Sequence, residues 1–275
     1  MKIDAHQHFW IFDPIRDSWI NDEMAAIRKD FLPKNLKPIL QENGFDGCVA
    51  VQADQTEAQN DFLLDFAQDF DFIKGIVGWV DLQGLDVEER LAYFAKYPKM
   101  KGFRHVLQGE IERDLMLKPA FMNGISLLAK YNFTYDILIF TDQIKYAEEM
   151  VNAFPNQKFI VDHLAKPDIK NQNISAWRKD IKAIAKHENT FCKVSGMVTE
   201  ADYNNWKQED FTAYLDVVFE CFGTKRLLYG SDWPVCNVAG GYQKALNILT
   251  NYTQQLTKNE QALFFGENAC SFYNL

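Results

Sequence analysis

The sequence lacks any pattern of paired cysteines. Its cysteines are scattered and odd in number, with no CxxC spacing, at Cys48, Cys192, Cys221, Cys236 and Cys270. Such a set predicts reduced thiols rather than a disulfide framework, so we expect a cytoplasmic protein. Cys48 and Cys192 lie in apolar, strand-like runs that are typical of a core, which disfavours a catalytic cysteine.

The sequence also lacks an excess of positive charge and any long apolar run. There are 29 Lys and Arg residues against 38 Asp and Glu residues, which gives a formal net charge of -9. No basic cluster reverses that charge locally, so we expect no nucleic-acid partner. No apolar run approaches the length of a membrane span, and the N-terminal MKIDAHQHFW lacks the features of a signal peptide. We therefore expect no membrane partner.

What the sequence has instead is a repeated alternation of two kinds of segment. Eight short apolar or β-branched runs begin about 25 to 45 residues apart, which leaves room for a crossover helix between consecutive runs. They occupy residues 2–8, 45–53, 72–80, 101–107, 134–140, 158–164, 190–196 and 226–232. The segments between them, DFLLDFAQDF and AYLDVVFECF for example, have apolar residues at helical spacing.

This alternation predicts parallel strands that helices bury on both faces. Eight such units in 275 residues favour a TIM (β/α)8 barrel that forms one domain over residues 1–275. An open doubly wound sheet is the alternative, but the Gly-rich phosphate-binding motif after its first strand is absent. We expect the stretch from Gln243 to Leu275 to form terminal helices that close the barrel.

Polar residues able to do chemistry fall where the predicted strands end, which is where barrel enzymes carry their active sites. The groups are His6 with His8, Arg104 with His105, Asp162 with His163, Lys193 with Ser195, and Ser231 with Asp232. The one remaining histidine, His187, lies in a polar connection where we expect only solvation. The sequence therefore predicts an active site at one end of the barrel.

The histidine pair and the last aspartate are the main candidates for the chemistry. His6 and His8 are two residues apart on a strand, so their side chains leave the same face. Imidazoles in this arrangement can hold a divalent metal or donate hydrogen bonds to a substrate oxygen. Asp232 can take a proton from water, or it can simply cap a turn. Because adjacent strand residues face opposite sides, we expect only one of Asp162 and His163 to point inward.

Six segments between residues 2 and 242 resemble the amidohydrolase superfamily, in the same order along the chain. They are IDAHQHFW, VGWVDL, KGFRHVLQ, VDHLAKP, CKVSGMVTEA and YGSDWPV. More narrowly, they resemble the amidohydrolase-2 branch, which contains sugar-lactone hydrolases such as L-fuconolactonase and L-rhamnonolactonase. The resemblance implies a distorted TIM barrel that opens a lactone or a related ring ester with water.

The resemblance also implies roles for residues that match the family's motifs. The first-strand histidine pair corresponds to His6 and His8, the sixth-strand histidine to His163, and the eighth-strand aspartate, a general base, to Asp232. The FRH and KVSG motifs imply substrate contacts for three further residues, Arg104, His105 and Lys193. The residues alone leave other readings open, because Arg104 can pair with a neighbouring acid and the stem of Lys193 can lie along the apolar rim.

Three tryptophans lie beside these motifs, and they are expected to form walls for a sugar ring unless they are core residues. They are Trp10, Trp79 and Trp233.

The metal content stays open. Many metal-dependent relatives carry a histidine or a carboxylated lysine after the fourth or fifth strand, and the fifth run, TYDILIFTDQ, has neither residue. One divalent metal, with Zn²⁺ as the first choice, would therefore need His6, His8, His163 and Asp232 as its ligands. Some lactonase relatives work without a metal, so the alternatives are a weakly held cation and none.

The predicted function is the hydrolysis of a sugar-acid lactone, with Asp232 as the base that activates water. Other hydrolases of the amidohydrolase-2 branch remain alternatives, as does a decarboxylase that would need a tightly bound metal. A catalytically silent protein that only binds a sugar acid is a further alternative. The sequence determines neither the lactone, because loops set specificity in barrels, nor the oligomeric state, a homodimer included.

Overall fold

A computed structural model describes residues 1–275 and contains one sheet of eight parallel strands in sequential order. The strands are β1 (Ile3–Gln7), β2 (Gly47–Val51), β3 (Ile73–Gly78), β4 (Met100–His105), β5 (Thr134–Ile137), β6 (Phe159–Val161), β7 (Thr190–Val194) and β8 (Leu227–Tyr229). The sheet curls until β8 meets β1 and forms a nearly closed barrel. The predicted TIM barrel is therefore confirmed, and the open doubly wound alternative is wrong.

Helices surround the barrel, and each strand is followed by at least one of them. They are α1 (Pro33–Glu42), α2 (Glu57–Asp69), α3 (Val87–Phe94), α4 (Pro119–Leu128), α5 (Ile144–Ala153), α6 (Ser175–Ile184), α7 (Glu209–Phe222), α8 (Tyr242–Tyr252), α9 (Lys258–Ala262) and α10 (Asn268–Tyr273). Each crossover helix turns an apolar stripe toward the strands; α6, for example, buries Trp177, Ile181 and Ile184. None of these helices has the length and apolar character that a membrane span requires.

The end of the barrel at which the strands begin is filled by apolar side chains. Ile3 and Ala5 of β1 pack there with residues of four other strands and with the last helix. Phe272 and Tyr273 of α10 close this end, and both are 2% exposed. The expectation that the C-terminal segment closes the barrel is confirmed for α10, whereas α8 packs beside α7 in the outer ring of helices.

A β-bulge in β1 turns the two histidines into the barrel. Asp4 pairs with Cys48, and Gln7 pairs with Ala50. The chain therefore advances by three residues in β1 where it advances by two in β2. Without the extra residue, alternation would put His6 on the opposite side of the strand from Ile3 and Ala5. With it, all three side chains reach the interior, and His6 and His8 follow the apolar layer toward the mouth.

The seam between β8 and β1 fixes the segment that carries Asp232. The Asp232 amide donates to His6 O at 2.9 Å, and the His8 amide donates to Trp233 O at 2.7 Å. The Asp4 carboxylate spans the same seam and accepts the Ser231 amide at 2.9 Å. The two ends of the sheet are therefore locked together beside the residues predicted to do the chemistry.

Candidate active site

A cavity of about 390 Å³ opens at the mouth of the barrel, beyond the C-terminal ends of the strands. Five residues that the sequence predicts for the site line it: His8, Trp10, Arg104, His163 and Asp232. The position agrees with the general rule that barrel active sites lie at this end, where loops after several strands meet.

Three imidazoles surround one carboxylate oxygen at the base of this cavity. His8 Nε2 lies 3.5 Å from Asp232 Oδ1, and the Nε2 atoms of His6 and His163 each lie 4.0 Å from it. The Nε2 atoms of His6 and His8 are 3.2 Å apart. All four side chains are nearly inaccessible to bulk solvent, so the cluster forms a set of convergent polar groups with little screening.

Hydrogen bonds orient the two histidines of β1. His8 Nδ1 lies 2.9 Å from Val51 O, an acceptor only, so Nδ1 carries the proton and donates. His6 Nδ1 has two neighbours, Lys193 Nζ at 3.2 Å and Asp162 Oδ1 at 3.4 Å. A bond from Lys193 puts the His6 proton on Nε2, where it can be donated to His8. A bond to Asp162 leaves Nε2 free to accept or to ligate.

Beneath His6 lies a layer of paired charges. Lys193 Nζ donates to Asp136 Oδ2 of β5 at 2.5 Å and lies 3.1 Å from Asp162 Oδ1, and all three side chains are fully buried. The hydroxyl of Tyr273 donates to Asp136 at about 3 Å from the opposite end of the barrel. Arg104 completes the layer by donating to Asp162 Oδ2 at 3.1 Å. Each buried charge thus has a partner of opposite sign.

Two of the predicted substrate contacts lie away from the cavity. Lys193 belongs to the buried layer, so its position corrects the prediction that it holds a substrate oxygen directly. His105 faces away from the barrel axis, with Nε2 2.7 Å from Glu110 Oε1 and Nδ1 3.4 Å from Trp79 Nε1. Strand alternation explains this outcome, because Arg104 takes the inward position on β4.

The tryptophans divide in the same way. Trp10 lines the cavity, and its indole donates to Lys29 O at 2.9 Å. Trp233 is 2% exposed and packs edge to face against Phe9 and Phe31. Trp79 bonds to His105 and does not line the cavity. The positions of Trp79 and Trp233 therefore correct the prediction that they form its walls.

The segment after β6 departs from strand alternation. β6 ends at Val161, and His163 has φ 52°, in the left-handed region. The backbone therefore turns between Asp162 and His163, so that Asp162 meets Arg104 inside the barrel and His163 reaches the cavity. The expectation that only one of the two points inward is wrong, because it assumed a regular strand.

The loop after β7 supports His163 from below. Ser195 Oγ lies 2.8 Å from His163 Nδ1. The next residue, Gly196, has φ 62°, and a Cβ there would lie 2.5 Å from His163 Nδ1 and 3.2 Å from Asp232 Oδ2. A glycine is required both by the backbone conformation and by this close approach.

Burial sets the protonation of the cluster. It lowers the pKa of the His6 and His163 imidazoles well below the ordinary histidine value, so both rings are neutral at pH 7. For Asp232, burial acts to raise the pKa, but His163, His8 and the Lys166 ammonium outweigh it and the pKa is lowered. The carboxylate is therefore ionised and available as a base at neutral pH.

The donor set fits a divalent cation in part. In tetrahedral zinc sites with bonds near 2.0–2.1 Å, ligand atoms lie about 3.3 Å apart. The separations among His6 Nε2, His8 Nε2 and Asp232 Oδ1 are 3.2, 3.5 and 4.0 Å, close to that geometry. However, Arg104 Nη1 lies 3.3 Å from His6 Nε2 and brings positive charge to the same nitrogen.

Several residues of the site lack an obvious signal in the sequence. Gln52, whose carbonyl accepts from Arg104 Nη2 at 2.6 Å, lines the cavity, and its one signal is its place at the end of the second apolar run. Arg16 and Trp19 line it from the long loop between β1 and α1, where no periodicity marks them. Asp136 did have a signal, because an acid inside the apolar run TYDILIF requires a buried partner.

The fold and the histidine–aspartate cluster are those of a TIM-barrel enzyme, whose reactive groups lie at the mouth of the barrel. The family model described as Amidohydrolase matches residues 3–275. The chain belongs to the amidohydrolase family, as the six sequence segments implied.

Similar proteins are known in sequence and in structure. The chain is 33% identical over 281 residues to an L-fucono-1,5-lactonase of Burkholderia ambifaria, with 100% of this chain and 96% of the relative covered. It is 31% identical over 286 residues to an L-fucono-1,5-lactonase of Burkholderia multivorans, with the same coverage. A crystal structure of a B. multivorans amidohydrolase with bound Zn has a TM-score of 0.97 and 31% identity, covering 100% of this chain and 99% of that one.

Proposed function

We propose that the protein is a hydrolase that opens a sugar-acid lactone, with Asp232 as the base that activates water. The observation that carries the proposal is the ionised Asp232 carboxylate, which lies at the base of the cavity with three imidazole nitrogens 3.5 to 4.0 Å from Oδ1. The two relatives above 30% identity, both named L-fucono-1,5-lactonases, support the same class of substrate.

The first step is the attack of water on the lactone carbonyl. A water between Asp232 Oδ1 and the imidazoles gives one proton to the carboxylate, while its oxygen bonds to the carbonyl carbon. His8 orients this water through Nε2, because its Nδ1 proton is committed to Val51 O. The buried position of Asp232 keeps bulk water away from the carboxylate, so that few waters compete with the attacking one.

The reaction also requires a hydrogen-bond donor for the lactone carbonyl oxygen, which becomes negatively charged when water attacks. With Ser195 donating to His163 Nδ1, the proton of the neutral His163 ring is on Nε2, which faces Asp232. That N–H is available to the carbonyl oxygen as its charge develops. Collapse of the intermediate breaks the ring C–O bond, and the proton held by Asp232 passes to the leaving alkoxide, which restores the Asp232 carboxylate. The new carboxylic acid then loses the second water proton to solvent, which leaves the product as a carboxylate.

Lys193, Asp162 and Arg104 act as positioning residues in this scheme. Their paired charges hold His6, through Nδ1 and Nε2, against the cluster. A divalent cation held by His6, His8 and Asp232 would add Lewis acidity at the same point.

Other residues that line the cavity bind the sugar part of the substrate in this scheme. Trp10 and Trp19 are in edge-to-face contact with ring centroids 6.3 Å apart, and Trp19 is 48% exposed, as expected for an aromatic surface that receives a ligand. Asp54 and Gln55 line the same cavity and offer polar groups to ring hydroxyls. These contacts fit a hydroxylated lactone better than an apolar ester, and the names of the two relatives support a six-membered 1,5-lactone.

Turnover of a panel of lactones tests the proposal directly. The panel contains L-fucono-1,5-lactone, other aldono-1,5- and 1,4-lactones, and an unsubstituted δ-lactone, and proton release is followed in weak buffer. We expect turnover of at least one hydroxylated six-membered lactone with kcat/KM of about 10⁴ M⁻¹s⁻¹ or more. No turnover of any aldonolactone would contradict the proposal, and binding without product would favour a silent sugar-acid binding protein.

Removal of metal is a separate prediction. Because Arg104 already brings positive charge to His6 Nε2, we expect chelator-treated protein, free of zinc by elemental analysis, to keep lactone turnover within about threefold of untreated protein. Loss of turnover that one equivalent of Zn²⁺ restores would show instead that a cation is required.

A further inference from the structure

The loop that carries His163 contains an unusual backbone conformation. Four consecutive residues have positive φ: 52° at His163, 55° at Leu164, 57° at Ala165 and 51° at Lys166. None of them is glycine, and L-residues visit this left-handed region as single residues rather than in runs. Strained backbone of this kind persists where the surrounding structure fixes it, and it is concentrated at functional sites.

The turn divides its side chains between core and cavity. His163 and Lys166 are three residues apart and both line the cavity. Leu164 and Ala165, between them, have no exposed surface and pack in the main core. Trp177 of α6 anchors the turn by donating to Leu164 O at 2.7 Å. The left-handed path is therefore what brings Lys166 to the same wall of the cavity as His163.

The ammonium of Lys166 has N–H donors that no acceptor in the protein occupies. It donates to Glu200 Oε1 at 3.0 Å, its only hydrogen bond in the protein, and a lysine has three N–H donors. The side chain is 17% exposed, so part of it faces the open space of the cavity.

The other two cations on the cavity wall, Arg104 and Arg16, each make more hydrogen bonds within the protein than Lys166 does. Arg104 donates to Asp162 and to Gln52 O, and Arg16 makes a two-point pair with Asp17. Hydrolysis of a lactone produces a carboxylate close to the ionised Asp232, and two like charges at short range repel each other. Lys166 lines the same cavity as Asp232 and keeps free N–H donors, so it can offset this repulsion.

We propose that Lys166 is a substrate-binding residue, whose ammonium holds the lactone carbonyl oxygen and then the carboxylate of the opened product. This inference rests on the proposed lactonase function. His163 and Lys166, at the two ends of one left-handed turn, would then donate to the same oxygen from the same wall.

The test compares three variants on the best lactone of the panel. Lys166→Gln and Lys166→Asn both remove the charge, and the second keeps a residue type that tolerates the left-handed conformation. Glu200→Gln is the matched control, because it breaks the same ion pair and leaves the lysine in place. We expect kcat to fall about 100-fold in both Lys166 variants and to stay within about threefold in Glu200→Gln.

Product inhibition supplies a readout that a structural role would not move. The product aldonate and the alditol of the same sugar differ in the carboxylate alone. We expect the inhibition constant of the aldonate to rise about tenfold or more in Lys166→Asn, with that of the alditol unchanged.

Three results separate the two proposals. Absence of lactone turnover by the wild-type protein overturns the proposed function and this inference together. Wild-type turnover with equal effects of Lys166→Asn and Glu200→Gln overturns the inference alone. Equal weakening of aldonate and alditol inhibition also overturns it, because the lysine would then support the loop without binding the carboxylate.

Discussion

At the scale of single residues, the site depends on keeping one carboxylate ionised while the His6 and His163 imidazoles beside it stay neutral. Asp232 has φ 56° and donates its amide to His6 O, so its side chain is held at the seam of the barrel. Burial prevents His6 and His163 from taking up protons, and neighbouring donors favour the charged form of Asp232. This is the distribution of charge that base catalysis by a carboxylate needs.

The pH dependence of lactone turnover follows from these directions. The pKa of Asp232 is lowered, so the base is lost only as pH falls through values below that of an ordinary aspartate. The His6 and His163 pKa values are also lowered, so neither ring titrates near neutrality. We expect kcat/KM to stay level between about pH 5 and 8. An acid limb centred near the ordinary histidine pKa would show that protonation of a histidine controls the rate.

At the scale of elements, the chemistry depends on how loops after neighbouring strands meet. The loop after β7 brings Gly196 against His163 and Asp232, which come from the loops after β6 and β8. A methyl group at this position has no room unless one of those side chains moves.

Replacement of this glycine is therefore a sensitive test of the packing. We expect Gly196→Ala to lower kcat about 100-fold by displacing His163, since misplacement by about 1 Å has effects of that size. The matched control is Gly223→Ala, which has a similar φ of 66° but no atom within 4 Å of the added carbon. Equal kcat values for the two variants would contradict the close approach.

Much of the architecture could be predicted at this scale, because the information is local. Continuous apolar runs separated by helical periods indicate a barrel, and polar residues at strand ends indicate its mouth. The bulge in β1 and the left-handed turn from His163 to Lys166 were not predictable, because pairing with other strands and anchoring by Trp177 determine them. The same reason applies to Lys193, whose partners Asp136 and Asp162 come from two other strands.

At the scale of the whole molecule, one end of the barrel stabilises the fold and the other end contains the reactive groups. One end is closed by α10 and holds the strands together, while the other remains open around the reactive cluster. Tyr273 links them, because it belongs to the closing helix and bonds to Asp136 beneath the site.

Truncation of a side chain in the closing helix should therefore affect stability strongly. We expect Phe272→Ala, which removes a ring that is 2% exposed, to lower the free energy of unfolding by about 3–5 kcal/mol in denaturant titrations. Leu85→Ala is the control, because Leu85 is fully exposed, and its effect should be within about 0.5 kcal/mol. A similar small effect for both variants would mean that α10 does not close the barrel.

The central claim, that Asp232 is the base in lactone hydrolysis, is tested most directly by kcat of Asp232→Asn. The matched control is Asp54→Asn, which makes the same chemical change in another carboxyl that lines the cavity. We expect Asp232→Asn to lose about 10³-fold or more in kcat, with unchanged thermal unfolding, and Asp54→Asn to act mainly on KM. A folded Asp232→Asn protein with kcat within about tenfold of the wild-type value would contradict the claim.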